Sequence, residues 1–574
     1  MMGARMQQRE PSAGSWRMSL ALLALAVVST WLVLAGLSLW MGELNQDEGW
    51  YLYSAGQIRA GRLPYRDFAF TQSPLLPLVY AAAWGFIERF GVAGGRFLTW
   101  LFGALALIPA TWLAMRMGPR RARKLTAGVF LILAGINLYQ VYFMTVVKTY
   151  ALSGFFLTSG LLVLSYADRQ HAFRAASLAG FLLACAAATR ISFGVVLVAG
   201  LVYLALCRGR LRNWAWLDFL LGVGLGLAVM LVPFMALGRE GFRFGVFEYH
   251  TLRDSGPWLM QLAYKAGCVT RLIQAYFPAV LIGVFLIVAA LRRLACRNAE
   301  QSPAKTNEPE TCGPPCYAGF IWAVVVAVAL VHLLAPFPYD DYQVPVYLIF
   351  CMALAAATAR WWLAMEDRFE AGCADNARRA RRLALLGGLW LAGSLHAVSS
   401  PMVQQWFVAG RDRIWWQLRE QSPLAQLQDM GRWVRELTLA EQGTELLTQD
   451  TYLAVEARLP VPRGLEMGPF SYYPDWPRER AEQIGVMNRD MLRELLVTAT
   501  NAPIAALSGY SLAIRSPEVE KIKREDRRAL EAVLKMEYVL LEQAPNFGQA
   551  NTVLRIFRRK PVEKLPEPVE TAEE

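Results

Sequence analysis

The chain has 574 residues, of which 55% are apolar and only 18% charged. That excludes one compact soluble domain, which is smaller and more polar, and points to a chain that crosses a bilayer many times. The formal net charge of +12 raises nucleic acid as a partner, but the cations gather between apolar runs, and the soluble part carries no basic-aromatic stripe, so no nucleic-acid role is expected.

Residues 1–18 read as a cytoplasmic segment. The first apolar run, 19–41, exceeds a signal-peptide core and is followed by no small-x-small site, so it is expected to stay as an anchor. A first loop, 43–93, follows. In it "DEGWYLYSAGQIRAG" reads as an amphipathic helix and "PLLPLVYAAAWGFIERFG" as another, both expected along the membrane interface with Trp and Tyr at headgroup depth. Further runs of about 20 apolar residues, the length that spans hydrocarbon, lie near 96–115, 125–146, 149–166, 215–237, 274–295, 317–335, 343–363 and 383–402. The stretch 175–207 is too long for one crossing and carries one charge, Arg190, at its middle. It reads as two helices in a tight hairpin with Arg190 at the turn, giving about eleven transmembrane helices.

Loop charges test that count. With the N-terminus inside, the inner loops "MRMGPRRARK", "ADRQHAFR", "CRGRLRN", "LRRLACRN" and "NARRARR" are all basic, as cytoplasmic loops should be. The outer segments, among them "GELNQDEGWYLY", "REGFRFGVFEYHTLRDS" and "APFPYDDYQ", are mixed or acidic. The transmembrane part is then 19–402, and eleven crossings put 403–559 outside.

That last region reads as a small mixed α/β domain. "RDRIWWQLREQSPLAQLQDMGRWVRELT" has helical apolar spacing, and "TELLTQD" and "APIAALSGY" read as short buried strands. "SPEVEKIKREDRRALEAVLK" opens like a helix with an N-cap Ser and Pro at its first position. "YVLLEQAPNFGQANTVLRIFRRK" reads as two strands about a Gly turn, and 560–574 as a disordered tail. The eight cysteines are scattered; Cys312 and Cys316 flank "GPP" without a second pair or a nearby His, and read as loop thiols.

Asp47 and Glu48 directly after the first crossing, two interfacial helices, and the run "GRLPYRDF" with "PLLP" beyond it resemble the GT-C superfamily of membrane glycosyltransferases. The resemblance is to the branch of glycosyltransferase family 39 and the protein O-mannosyltransferases, with the lipid A aminoarabinose transferases as relatives. "AAATRISFG" and "PFPYDDYQVPVYL" add to it, and it covers roughly residues 15–402.

The resemblance implies an integral protein of the bacterial inner membrane that passes a sugar, with inversion, from a polyprenyl phosphate to a lipid, glycan or protein hydroxyl on the outer side. It implies Asp47 as general base, with Glu48 orienting the site or holding the acceptor. The chemistry is consistent: an acceptor hydroxyl loses a proton as it attacks the anomeric carbon, and a carboxylate can take it. Both acids also fit a plain helix N-terminus. The departing phosphate gains charge that fixed cations would stabilise. Arg190 and Lys148 are placed for that, with Arg253 behind them, although a Lys at an outer helix end also snorkels to headgroups. Lys148 departs from the Arg common in relatives. Tyr65 and Asp67 of the "PYRD" turn, His250, Tyr339, Asp340, Asp341 and Tyr342 are candidates for the substrate cavity; the acids and His250 fit solvated loops as well. No His/Asp cluster has metal-ligand spacing, so neither a metal nor another cofactor is expected, while some GT-C enzymes use a divalent ion.

Two other readings stay open: a lipid or glycan transporter, and a GT-C-like assembly protein without chemistry. The sequence has no internal repeat of the transporter kind.

Overall fold

The computed structural model describes residues 13–167, 172–207, 214–252, 257–299, 317–336, 338–369, 375–407 and 420–561. The chain is a polytopic α-helical membrane protein with a C-terminal mixed α/β domain. Among the described residues, five helices are long and apolar enough to cross a membrane: Met18–Met41, Trp84–Met117, Phe277–Leu294, Tyr317–Leu334 and Asp340–Arg368. Four shorter apolar helices, Thr149–Leu164, Phe173–Thr189, Ile191–Leu206 and Ala215–Met230, pack with them. Their lipid-side residues, such as Leu225, Val198 and Ile287, are exposed, while Ala, Leu and aromatic side chains fill the interior.

The run read as 125–146 is not one helix. It forms Arg123–Gly135 and a short helix Leu138–Phe143. Asn137 ends the first by capping the second: its Oδ1 accepts the Gln140 N–H at 2.9 Å. The 175–207 stretch forms two helices with Arg190 in extended backbone between them (φ −149°, ψ 111°).

The loop helix Gln46–Arg59 departs from an interfacial amphipathic helix. Trp50, Tyr51, Leu52, Tyr53 and Ala55 are all buried, as are Gln46 and Glu48. Four bulky apolar residues in succession point around the whole circumference, so this helix needs cover on every side. The C-terminal domain supplies part of it. Gly49 lies against the backbone of Thr451 and Tyr452, too close to leave room for a Cβ.

In the C-terminal domain β1 (Leu446–Leu447) pairs parallel with β2 (Ile504–Leu507). β2 pairs antiparallel with β6 (Thr552–Arg559), and β6 with β5 (Tyr538–Phe547), giving the order β1-β2-β6-β5. The expected helix start at Ser516–Pro517 is wrong. Ile514–Arg515 (β3) and Glu520–Lys521 (β4) form a small ladder there, and the helix begins at Arg524. The ladder takes the backbone bonds that a helical first turn would use, and Ile522 N–H donates to Ala513 C=O at 2.9 Å.

Candidate active site

The helix Gln46–Arg59 begins with a full capping box. Asn45 Oδ1 accepts the Asp47 N–H at 2.9 Å, and Glu48 Oε2 accepts the Asn45 N–H at 3.1 Å. This local pattern gives the adjacent acids different fates, because neighbours on a helix point about 100° apart.

Glu48 turns inward and is fully buried. Its oxygens pair with Arg96 in a fork, Nε to Oε1 and Nη2 to Oε2, both at 2.7 Å. Arg96, also fully buried, donates further to the carbonyls of Leu39, Gly42 and Glu43 at 2.8–3.1 Å. Such a buried fork needs its remaining donors satisfied, and here they tie the end of the first crossing to the loop helix. Both Glu48 oxygens are thus engaged by Arg96 in the interior.

Asp47 turns the other way. Its side chain keeps 32% of its exposure, and its Oδ2 lies 3.2 Å from Lys148 Nζ. Trp50 Nε1–H donates to Oδ1 at 3.2 Å. Lys148 directly precedes the helix Thr149–Leu164, without a side-chain capping bond, and is buried. Its ammonium also meets Asp341 Oδ2 at 2.5 Å, so it stands between two carboxylates. Asp341 comes from the turn Asp340–Gln343, and its Oδ1 is buried with no hydrogen-bond partner among the described residues.

Arg190 closes the group. Its guanidinium lies over the Tyr342 ring at 4.2 Å and the Tyr150 ring at 5.2 Å; Lys148 Nζ is 5.8 Å from that same Tyr150 ring. Arg190 Nη1 donates to Thr149 Oγ1 at 3.3 Å, but its buried Nε–H has no partner, and no carboxylate pairs with it among the described residues. A half-buried guanidinium stacked on aromatic rings, with a buried N–H left unpaired, is chemically able to take an external anion. Tyr51, one turn along from Asp47, reports the shared field: burial holds its phenol well above the ordinary value, Asp47 adds to this, and Arg190 and Lys148 oppose it.

Of the remaining sequence candidates, Tyr342 stacks in the site and Tyr339 is 5.4 Å from its ring. Asp340 faces away from Lys148, accepting from Tyr139 OH at 2.9 Å and pairing with Arg271 at 3.2 Å. Tyr65 and Asp67 do not line the site. Tyr65 is buried against Phe70, Phe234 and Phe242, with its hydroxyl donating to the Gln72 carbonyl. Asp67 ties its own turn, accepting the Leu63 N–H at 2.7 Å and pairing with Arg66 at 2.8 Å; Arg66 holds its carboxyl below the ordinary value. His250 rests 5.4 Å from Tyr249, whose ring belongs to the Phe244–Tyr473 cluster. Arg253 lies outside the described residues, as do Cys312 and Cys316. Among the described residues no three His, Cys, Asp or Glu side chains gather as metal ligands.

Sequence reasoning missed Arg96, Tyr51 and Tyr150. Arg96 carried a signal, a charge at the edge of an apolar run; the other two are single aromatics among many.

No protein-family model matches the chain, and no curated protein sequence matches it. Solved structures do. The chain is similar to ArnT from Cupriavidus metallidurans in the apo state, with 16% identity over 95% of this chain and 98% of that one and a TM-score of 0.54. It is likewise similar to the same protein bound to undecaprenyl phosphate, with 14% identity over 95% and 98% of the two chains and a TM-score of 0.53. The chain thus shares the fold of these two structures along nearly its whole length.

Proposed function

We propose that this chain is a membrane glycosyltransferase that moves a sugar from a polyprenyl phosphate to an acceptor hydroxyl on the extracytoplasmic side. One observation carries the reading: the part-exposed Asp47 carboxylate lies 3.2 Å from the buried Lys148 ammonium, and Arg190, which shares the Tyr150 ring with that ammonium, has a buried Nε–H without a partner and no acid paired with it among the described residues. The ArnT structure bound to undecaprenyl phosphate supports a donor of that class.

In the step so assigned, the acceptor oxygen forms a bond to the anomeric carbon as its proton passes to Asp47. The bond from that carbon to the phosphate oxygen breaks, and its electron pair stays with the phosphate. Lys148 and Arg190 meet the added negative charge, Arg190 through two donors and Lys148 as a point charge. Tyr342 and Tyr150 fix the guanidinium plane, so little reorganisation is needed as charge develops.

The test uses purified protein in lipid with undecaprenyl-phosphate-linked mannose, arabinose and aminoarabinose. Sugar release and transfer are followed for wild type and Asp47→Asn, at equal folded content. Turnover that falls by about a hundredfold or more in the variant supports the base, in line with general-base contributions. Equal turnover removes Asp47 from the mechanism. Passage of a donor across the bilayer with no covalent product replaces the enzyme by a transporter.

A further inference from the structure

Among the contacts between the C-terminal domain and the helix Gln46–Arg59, those of Gln46 lie next to Asp47. Gln46, adjacent to Asp47, donates from Nε2 to Asp450 Oδ1 at 2.8 Å and lies 3.2 Å from Tyr452 OH, while its backbone N–H donates to Gln549 Oε1 at 2.8 Å. Asp450 is fully buried, and no cation pairs with it among the described residues. Its charge is met by donors alone: Tyr452 OH, Ser508 Oγ and N–H, and Ser511 Oγ, at 2.8–3.0 Å, besides Gln46. Four of its five donors thus come from its own domain, and the fifth crosses to the helix that carries Asp47. A carboxylate held by that many short bonds is a fixed point, since moving it would strand buried donors.

We propose that the C-terminal domain is a working part of the transfer site, in which Asp450, acting through Gln46, is a positioning residue for the Asp47 carboxylate. This rests on reading Asp47 as the base. On the opposite side of the same turn Glu48 is locked by Arg96, so the start of the helix is gripped from two directions and Asp47 is left with one orientation, towards Lys148. Simple packing of the domain on the helix would hold the helix too, but it would not depend on the chemistry of one bond.

The experiment uses the full chain in lipid. Gln46→Leu removes the crossing bond and leaves the four donors within the domain in place. Gln46→Glu sets two carboxylates face to face, and Gln46→Glu with Asp450→Asn restores a donor to that contact. Amide exchange over residues 46–51 is read without any ligand, and turnover of the undecaprenyl-phosphate sugars is read per folded molecule. The proposal expects exchange over 46–51 to rise about tenfold in Gln46→Leu and Gln46→Glu, turnover to fall about tenfold with the donor KM within about twofold, and the double variant to recover most of both. Unchanged exchange and turnover in Gln46→Leu overturn it, as does a double variant no better than the worse single. Asp47→Asn runs alongside: full turnover in that variant sinks the base assignment, whereas an unmoved Gln46→Leu sinks only the role given to the domain.

Discussion

Lys148 and Asp341 are 193 residues apart in the sequence, and the ammonium of one lies 2.5 Å from a carboxylate oxygen of the other inside the protein. The pair is nearly dry, with side-chain exposures of 7% and 6%. Removing one member of such a pair leaves an uncompensated buried charge.

Lys148→Met should therefore lower stability by about 3–5 kcal/mol, the usual cost of breaking a buried pair. Turnover should fall further than folding explains, because the same ammonium reaches Asp47 at 3.2 Å. Lys148→Arg keeps the charge but brings a planar fork to a point-charge position, and should retain folding with about tenfold lower turnover. Thermal unfolding in detergent and turnover per folded molecule check both. An unfolding midpoint in Lys148→Met equal to wild type would mean that Asp341 does not depend on the ammonium.

Arg190→Lys addresses the anion. The guanidinium lies over Tyr342 and offers an unpartnered Nε–H, neither of which an ammonium reproduces. The expected loss is in donor binding: the apparent Kd for undecaprenyl phosphate should rise roughly 10- to 100-fold, equal to about 1.4–2.8 kcal/mol, with the fold intact. Equilibrium binding of the labelled lipid phosphate measures it. Wild-type affinity in the variant would detach Arg190 from the phosphate.

Glu48 and Asp47 should separate stability from chemistry. Glu48→Gln loses the charge facing a fully buried Arg96, and about 3 kcal/mol or more of stability should go with it. Asp47→Asn, with a third of its side chain exposed, should unfold close to wild type and lose turnover instead. Unfolding curves and turnover for both variants would reveal the crossover. A Glu48→Gln protein as stable as wild type would overturn the structural role given to that fork.

Much of this arrangement was legible in the sequence, and the part that was not has physical causes. Arg190 stood out because a lone charge in the middle of an apolar stretch is costly unless the chain turns there. Asp47 stood out through the motif around it. What stayed hidden was pairing: nothing near Lys148 announces Asp341, and nothing near Glu48 announces Arg96, because tertiary contact joins them. The interfacial reading of Gln46–Arg59 failed for a different reason. "WYLY" satisfies an interface and an interior equally well, and only the C-terminal domain packed on Gly49 decides between them. The Ser516–Pro517 signal was a good local helix start that lost to the ladder of Ile514 with Lys521.

Acid should tighten the seam between the C-terminal domain and the helix Trp84–Met117. Glu456 crosses that seam, its Oε2 accepting the Val92 N–H at 3.0 Å, and its carboxylate sits against the Gly91 backbone, where φ is 60°. Burial raises its carboxyl above the ordinary 4.5, with Val92 N–H and Arg458 opposing. The folded form then keeps a proton that the unfolded form has released, so this group's contribution is complete below 4.5 and is lost as pH rises through its folded value. Amide exchange at residues 92–95 should slow as pH is lowered through the window just above 4.5, after correction for the intrinsic pH dependence of exchange. In Glu456→Gln, which cannot ionise and keeps an acceptor for Val92, that slowing should vanish. The same pH response in the variant would place the effect on another group, of which Glu445 and Glu466, also raised by burial, are the nearest in kind.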